Sequence, residues 1–236
     1  MATAMKVAIV TGASQGIGAG LVAGFRRSGY AVVGTSRSIR ASSEPDLLSV
    51  QGDIAEAETA QHVVEQTLGR YRQIDTLVNN AGIFIGKPFT EYTIDDYATV
   101  TSVNLAGFFH ITQRAIRQMV TQGSGHVVSI TTSLVDHASS RSPSALTSLT
   151  KGGLAAVTRA LATEYASRGV RVNAVAAGVI QTPAHDPASY EGMASLHPIG
   201  RIGQVSDIVD GILYLDQATF VTGETLHIDG GQAAGH

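Results

Sequence analysis

Seven short apolar runs, rich in Val and Ile, constrain this chain more than any other feature. They read KVAIVT (6–11), YAVVGT (30–35), LLSVQ (47–51), TLVN (76–79), HVVSIT (126–131), RVNAVA (171–176) and ETLHI (224–228). Most are continuously apolar and do not alternate, as expected for strands buried on both faces of a parallel sheet. Between them, residues 16–28, 56–69, 94–103, 105–121, 148–168 and 205–216 have helical periodicity. In 105–121, for example, Leu105, Phe108, Phe109, Thr112, Ile116 and Met119 fall on one stripe. Strands alternating with helices predict right-handed βαβ units. The expectation is an α/β fold: one Rossmann-like, doubly wound parallel sheet of about seven strands over residues 1–236, with helices on both faces.

Composition narrows the function classes. At 44% apolar and 15% charged residues, the 236-residue chain can bury a large core. A formal net charge of −3 without a basic run argues against nucleic acid as a partner. There is no cysteine, so disulfides and thiolate metal sites are excluded, and no metal site is expected. No run of about 18 apolar residues is present, and the N-terminal apolar run is broken by TGAS, so neither a membrane span nor a signal peptide is expected. A cytoplasmic protein is the default. The longest stretch without clear structure lies between Thr182 and Val205 and contains Pro183, Pro187 and Pro198. Its length suggests a substrate lid over 183–204.

The first apolar run leads straight into TGASQGIG (11–18), followed by a helix. Gly12, Gly16 and Gly18 permit a tight turn and close approach to a pyrophosphate. Ser14, Gln15 and Ile17 complete the loop, and the helix N-terminus supplies unpaired N–H groups. The spacing is G-x-x-x-G-x-G. With NNAG (79–82), Asn104, Ser133, Lys151, RVNAVAAG (171–178) and TGETLHIDGG (222–231), it resembles the short-chain dehydrogenase/reductase family along essentially the whole chain. The resemblance implies a nicotinamide dinucleotide cofactor. GTSR (34–37) ends the second strand, and Ser36 stands where an acid would select NAD. With Arg37 next, the neutral hydroxyl and guanidinium suit a 2′-phosphate, so NADP is expected over NAD; Ser38 and Arg40 stand nearby. By the same resemblance Asp53 accepts from the adenine amino group with Ile54 beside the base. A helix N-cap role for Asp53 is the competing reading. Asn80, Ala81 and Gly82 line the adenosine ribose side, and Asn79 ties strands together. Ile180 and Thr182 hold the carboxamide and phosphate. Where the family has Pro-Gly, this chain has Ala177-Gly178, which is expected to slacken that loop.

The family's chemistry is hydride transfer to or from a carbonyl carbon, with a tyrosine, a lysine, a serine and an asparagine around it. Three counterparts are legible: Asn104, Ser133 and Lys151. The tyrosine would stand four residues before Lys151, where this chain has Thr147. A phenol titrates near 10 and an aliphatic hydroxyl near ~15.7, a gap worth about 7 kcal/mol in acidity. Thr147 therefore cannot replace the phenol directly. The candidate donors are a water held by Thr147, Ser133 and Lys151; His137, beside Asp136; and Tyr190 or His197 from the lid. The expected function is an NADP-dependent oxidoreductase acting on a small carbonyl or alcohol substrate. The alternatives are a catalytically silent NADP(H)-binding sensor and a lyase, isomerase or hydrolase on the same scaffold. Resemblance further implies a homodimer or homotetramer formed through the helices matching 105–121 and 148–168.

Overall fold

The computed structural model describes residues 5–140 and 142–235. Seven strands form it: β1 (Val7–Thr11), β2 (Ala31–Ser36), β3 (Leu47–Gln51), β4 (Thr76–Asn79), β5 (Gly125–Thr132), β6 (Val170–Ala177) and β7 (Thr225–Ile228). They make one sheet in the order β3-β2-β1-β4-β5-β6-β7, and every pairing is parallel. All five residues of β1 and all four of β4 are buried, which is why their sequences are unbroken apolar or small-polar runs.

The described residues form seven α-helices, five of which cover the two faces of the sheet. The seven are α1 (Gly16–Arg27), α2 (Ala57–Tyr71), α3 (Ile94–Thr101), α4 (Gly107–Gln122), α5 (Ala145–Tyr165), α6 (Tyr190–Ala194) and α7 (Val205–Gln217). One core, around Ile9, Leu77, Ile111 and Met119, lies beneath α2, α4 and α5. The other, around Leu21, Phe25, Ile208 and Ile212, lies beneath α1 and α7. Each such side chain contributes about 1.5–3 kcal/mol on full burial. The chain reverses winding direction between β1 and β4, so their carboxyl ends open the crevice where α/β sheets bind ligands.

Three boundaries depart from expectation. Helix α5 starts at Ala145, earlier than 148, so Thr147 and Lys151 both lie in its first two turns. Helices α3 and α4 join through a π-helical turn, Ser102–Ala106, centred on Asn104. The segment 183–204 is not structureless. It contains a 3₁₀ turn (Pro187–Ser189) and α6, and its foot is pinned by an isolated parallel bridge between Ile180 and Gly203.

Candidate active site

The first glycine loop forms a cradle at the carboxyl end of β1. Gly12 has φ +66°, and a Cβ there would lie 2.8 Å from Asn80 Nδ2. A Cβ on Gly18 would lie 2.1 Å from the Gly12 carbonyl oxygen, so no side chain fits. The loop is tied to β4 by Asn80, whose amide donates to the carbonyls of Thr11 (2.9 Å) and Gly12 (3.2 Å). Thr11 Oγ1 accepts from the N–H groups of Asn80 and Ala81, both at 3.0 Å. Asn79 links strands through Ser129 and reaches Thr112 on α4. Helix α1 is preceded by Gln15, whose side chain caps nothing, and has no acid in its first turn. An uncapped helix N-terminus over a floor without side chains is chemistry that a pyrophosphate fits. Ile17 packs against the core beneath α1.

At the outer rim, Ser38 donates its hydroxyl to Ser14 Oγ (3.3 Å) and its N–H to Ser36 Oγ (3.3 Å). Arg37 is exposed, and its guanidinium lies 4.0 Å from Asp53. Asp53 accepts from the Ala55 N–H (3.1 Å) and closes a turn. It does not cap α2, whose N-cap residue is Glu56. Ile54 is buried against the N-terminus of α4, where a Cβ on Gly107 would come within 3.0 Å of it.

Lys151 and Asn104 come together over Gly82. A Cβ on Gly82 would lie 2.9 Å from Lys151 Nζ and 3.3 Å from Asn104 Oδ1. Asn104 accepts from the Ile83 N–H (2.9 Å) and donates to the Ile83 carbonyl and Thr150 Oγ1 (both 3.1 Å). The π turn supplies this geometry by widening the helix by one residue where the amide must reach the β4 loop. Lys151 donates to the Ile130 carbonyl at 2.6 Å. Burial pushes its amine down to about 8. Thr147, one helical turn earlier, is buried, and its hydroxyl has no hydrogen-bond partner.

Ser133 does not join this group through its hydroxyl. It is fully buried and donates toward the Ala177 carbonyl (3.3 Å) and Gln232 Oε1 (3.1 Å). The neighbouring Thr132 is only half-buried, and its hydroxyl accepts from the Leu134 N–H at 3.3 Å. Neither Thr132 nor Gln232 was singled out from sequence. The run of three hydroxyls at 131–133 carries the only signal for the first, and nothing local signals the second. His137 sits one turn beyond Ser133, its N–H bonded to the Ser133 carbonyl (2.8 Å). Its neighbour Asp136 pairs with His227 on β7 at 3.0 Å, on the outer edge of the sheet.

In the segment 183–204, Tyr190 opens α6 and is half-buried. His197 cannot swing inward. Its Nε2 accepts from the Val179 N–H (3.0 Å), so its Nδ1 carries the proton and donates to the Met193 carbonyl (3.1 Å). The Ala177-Gly178 loop is not slack. Gly178 donates to the Ile228 carbonyl (3.1 Å), and a Cβ on it would strike His197 at 2.7 Å. Ile180 is buried. Thr182 lies against the first glycine loop, 3.3 Å from where a Gly16 Cβ would be.

Residues 12–233 match the family model described as enoyl-(acyl carrier protein) reductase. The chain is 33% identical to a 3-oxoacyl-[acyl-carrier-protein] reductase of Staphylococcus aureus, covering 96% of this chain and 97% of that one. It is equally identical to 3beta-hydroxysteroid dehydrogenase 1 of Eggerthella lenta, with 96% and 93% coverage. A solved structure described as ElxO with NADP bound superposes with a TM-score of 0.91 at 27% identity, over 98% of this chain and 100% of that one. The chain therefore belongs to the short-chain dehydrogenase/reductase family, a family of NAD(P)-dependent oxidoreductases.

Proposed function

We propose that the protein is an NADP-dependent oxidoreductase that reduces a small carbonyl compound, or runs the reverse reaction, with water as the proton carrier in place of a tyrosine. The observation that carries this reading is the pair of buried groups on α5: an orphan Thr147 hydroxyl and, one turn on, Lys151. A buried unpartnered hydroxyl costs about 1–3 kcal/mol, and a bound water removes that cost.

The residues of the cradle fit a dinucleotide. Gly12, Ser14, Gln15, Gly16, Ile17 and Gly18 take the pyrophosphate, and Asn80, Ala81 and Gly82 line the ribose floor. Asp53 and Ile54 flank the adenine, and Ile180 and Thr182 hold the carboxamide end. Ser36, Arg37, Ser38 and Ser14 gather hydroxyls and one guanidinium at the rim, which supports a 2′-phosphate and hence NADP over NAD. ElxO, with NADP bound, supports the same choice. The nicotinamide, when bound, supplies or accepts the hydride. Lys151 holds the ribose and is the proton reservoir, because an amine near 8 exchanges protons at neutral pH. Asn104 fixes the position of the Gly82–Ile83 floor beneath it. A water on Thr147 passes the proton to the substrate oxygen, and Thr132 offers that oxygen a hydroxyl in place of the withdrawn Ser133. The segment 183–204 closes over the substrate as a lid, with Tyr190 the alternative donor within it and His137 the alternative from the β5 loop.

A second reading, an NADP(H)-binding sensor, draws on Ser133, whose hydroxyl is spent on Gln232. The Thr147 series separates the two. NADPH oxidation is followed by absorbance against a panel of ketones, aldehydes and quinones, with NADPH binding followed by fluorescence. Thr147→Ser should stay close to wild type, and Thr147→Val should lose roughly 10–10² in kcat. Lys151→Met should lose both activity and NADPH affinity. An unchanged rate in Thr147→Val removes the water, and NADPH binding without any turnover favours the sensor. Phe109 on α4 and Leu149 on α5 are exposed apolar residues, which supports pairing of copies through these helices. Light scattering should give two or four times the chain mass; a monomer mass rejects this.

A further inference from the structure

We propose that His197 is a positioning residue for the nicotinamide end of the cofactor: its imidazole holds the strap 177–182 in the shape that receives the dinucleotide. This rests on the dinucleotide reading above and goes on to what shapes the site.

The strap runs between two parts of the site. At its start, the Ala177 carbonyl accepts from the Ser133 hydroxyl (3.3 Å), at the carboxyl end of β5. At its finish, Thr182 packs on the first glycine loop, its Cβ 3.3 Å from where a Gly16 Cβ would be. A dinucleotide with its pyrophosphate on α1 and its reactive ring near Lys151 lies along that route. The backbone of the strap is held from behind. Gly178 donates to the Ile228 carbonyl (3.1 Å) and Gln181 to the Gly203 carbonyl (2.8 Å), while the Val179 carbonyl accepts from the Gly203 N–H (2.8 Å). Those bonds join backbone to backbone. The Val179 N–H instead donates to a side chain, His197 Nε2, at 3.0 Å. Ala177 stands where a proline would fix φ, so the strap takes this constraint from outside itself.

The ring stands in a slot that two glycines keep open. A Cβ on Gly178 would lie 2.7 Å from His197 Nε2, and one on Gly230 would lie 3.2 Å from the His197 Cβ. His197 is buried, and its Nδ1 donates to the Met193 carbonyl at 3.1 Å. The slot's far wall is fixed as well. Ile199 donates its N–H to the Gly230 carbonyl (3.1 Å), and Gly200 donates to the His197 carbonyl (2.8 Å). The imidazole is thus a strut between the strap and the turn that follows β7. An aliphatic side chain could fill the slot but offers Val179 no acceptor, whereas a neutral imidazole presents one acceptor and one donor on opposite sides of the ring.

The test compares two ligands by calorimetry, with no turnover required. One is NADPH. The other is adenosine 2′,5′-bisphosphate, which carries the adenine end and one phosphate of the bridge but no nicotinamide. His197→Leu should weaken NADPH by about tenfold and leave the bisphosphate within about twofold of wild type. His197→Gln offers an amide oxygen to Val179 and an N–H to Met193, and should recover most of the lost affinity. Gly178→Ala reaches the same bond from the strap's side and should weaken NADPH just as selectively. It stands in for His197→Leu if that variant does not fold. Unchanged NADPH affinity in His197→Leu, equal weakening of both ligands, or a glutamine variant no better than the leucine one reduces His197 to packing and overturns the proposal. Wild-type protein that binds neither ligand rejects the dinucleotide reading itself, and this inference with it.

Discussion

Lys151 lowers stability where it stands. Burial lowers its folded-state value from 10.5 to about 8, so the unfolded chain binds the proton more tightly. Below pH 8 both states are protonated, and the folded state carries the whole desolvation cost, roughly 3 kcal/mol at 1.36 per unit. That cost fades as pH rises from 8 to 10.5. Lys151→Met should therefore raise the thermal midpoint at pH 7 by several degrees, with the gain gone by about pH 10.5, even as cofactor affinity falls. A midpoint lower than wild type at pH 7 rejects this account. At this scale the sequence was legible where spacing alone dictates geometry. Gly12 and Gly18 follow from a loop whose backbone must pass within van der Waals contact of itself. Lys151 and Asn104 follow from motif positions, and the structure brings both over Gly82. Ser133 was not legible in the same way. Thr131, Thr132 and Ser133 are three successive hydroxyls; Thr131 and Ser133 both turn inward, and the Ser133 hydroxyl is taken by Gln232, 99 residues away.

Among elements, α1 is the one on which the proposed phosphate binding depends, and its position is set by two glycines facing α7. A Cβ on Gly20 would lie 2.2 Å from Val205, and one on Gly24 would lie 2.5 Å from Val209. Alanine at Gly24 gains about 1 kcal/mol of helix propensity but overpacks a β-branched side chain, at about 1–3 kcal/mol, and pushes α1 off its seat. Gly24→Ala should lower the thermal midpoint and weaken NADPH binding together. Gly69→Ala on α2, where a Cβ would meet nothing within 4 Å, should instead gain about 0.5–1 kcal/mol. Equal effects at the two positions would reject the packing argument. The strands and the six longer helices could be read from the sequence because their apolar periods run for most of their length. Helix α6 could not, since its five residues bury none of their side chains fully and hold no period. The start of α5 was misplaced by three residues because Ser144 caps it with no side-chain bond to announce it.

Over the whole molecule, the charge that matters for folding lies at the amino ends of the strands, opposite the site. Asp216 is buried and accepts from the Tyr30 and Thr76 hydroxyls, with His126 Nδ1 at 3.5 Å. Asn173 Nδ2 meets the other ring nitrogen of His126 at 3.0 Å, and Arg171 donates to the carbonyls of Leu215, Asp216, Ala218 and Val221. Burial pushes Asp216 up, but the hydrogen bonds of His126, Thr76 and Tyr30 prevail and hold it at about 2. Its contribution is present above 3.8 and is lost as pH falls toward 2. Burial holds His126 below its usual 6.5, so as pH drops beneath that value the unfolded chain takes up a proton that the folded chain resists, and stability falls. Both groups steepen the same acid limb. His126→Gln should flatten the fall in thermal midpoint that begins as pH drops below about 6.5; an unchanged slope removes His126 from the account. The parallel sheet was legible because its runs are buried on both faces. This network was not, since Tyr30 and Asp216 are 186 residues apart and neither belongs to a motif. The distance between this network and Thr147 has a consequence for substitutions. A substitution at Thr147, near the carboxyl ends of the strands, can therefore change the chemistry of the site and leave the buried network around Asp216 untouched.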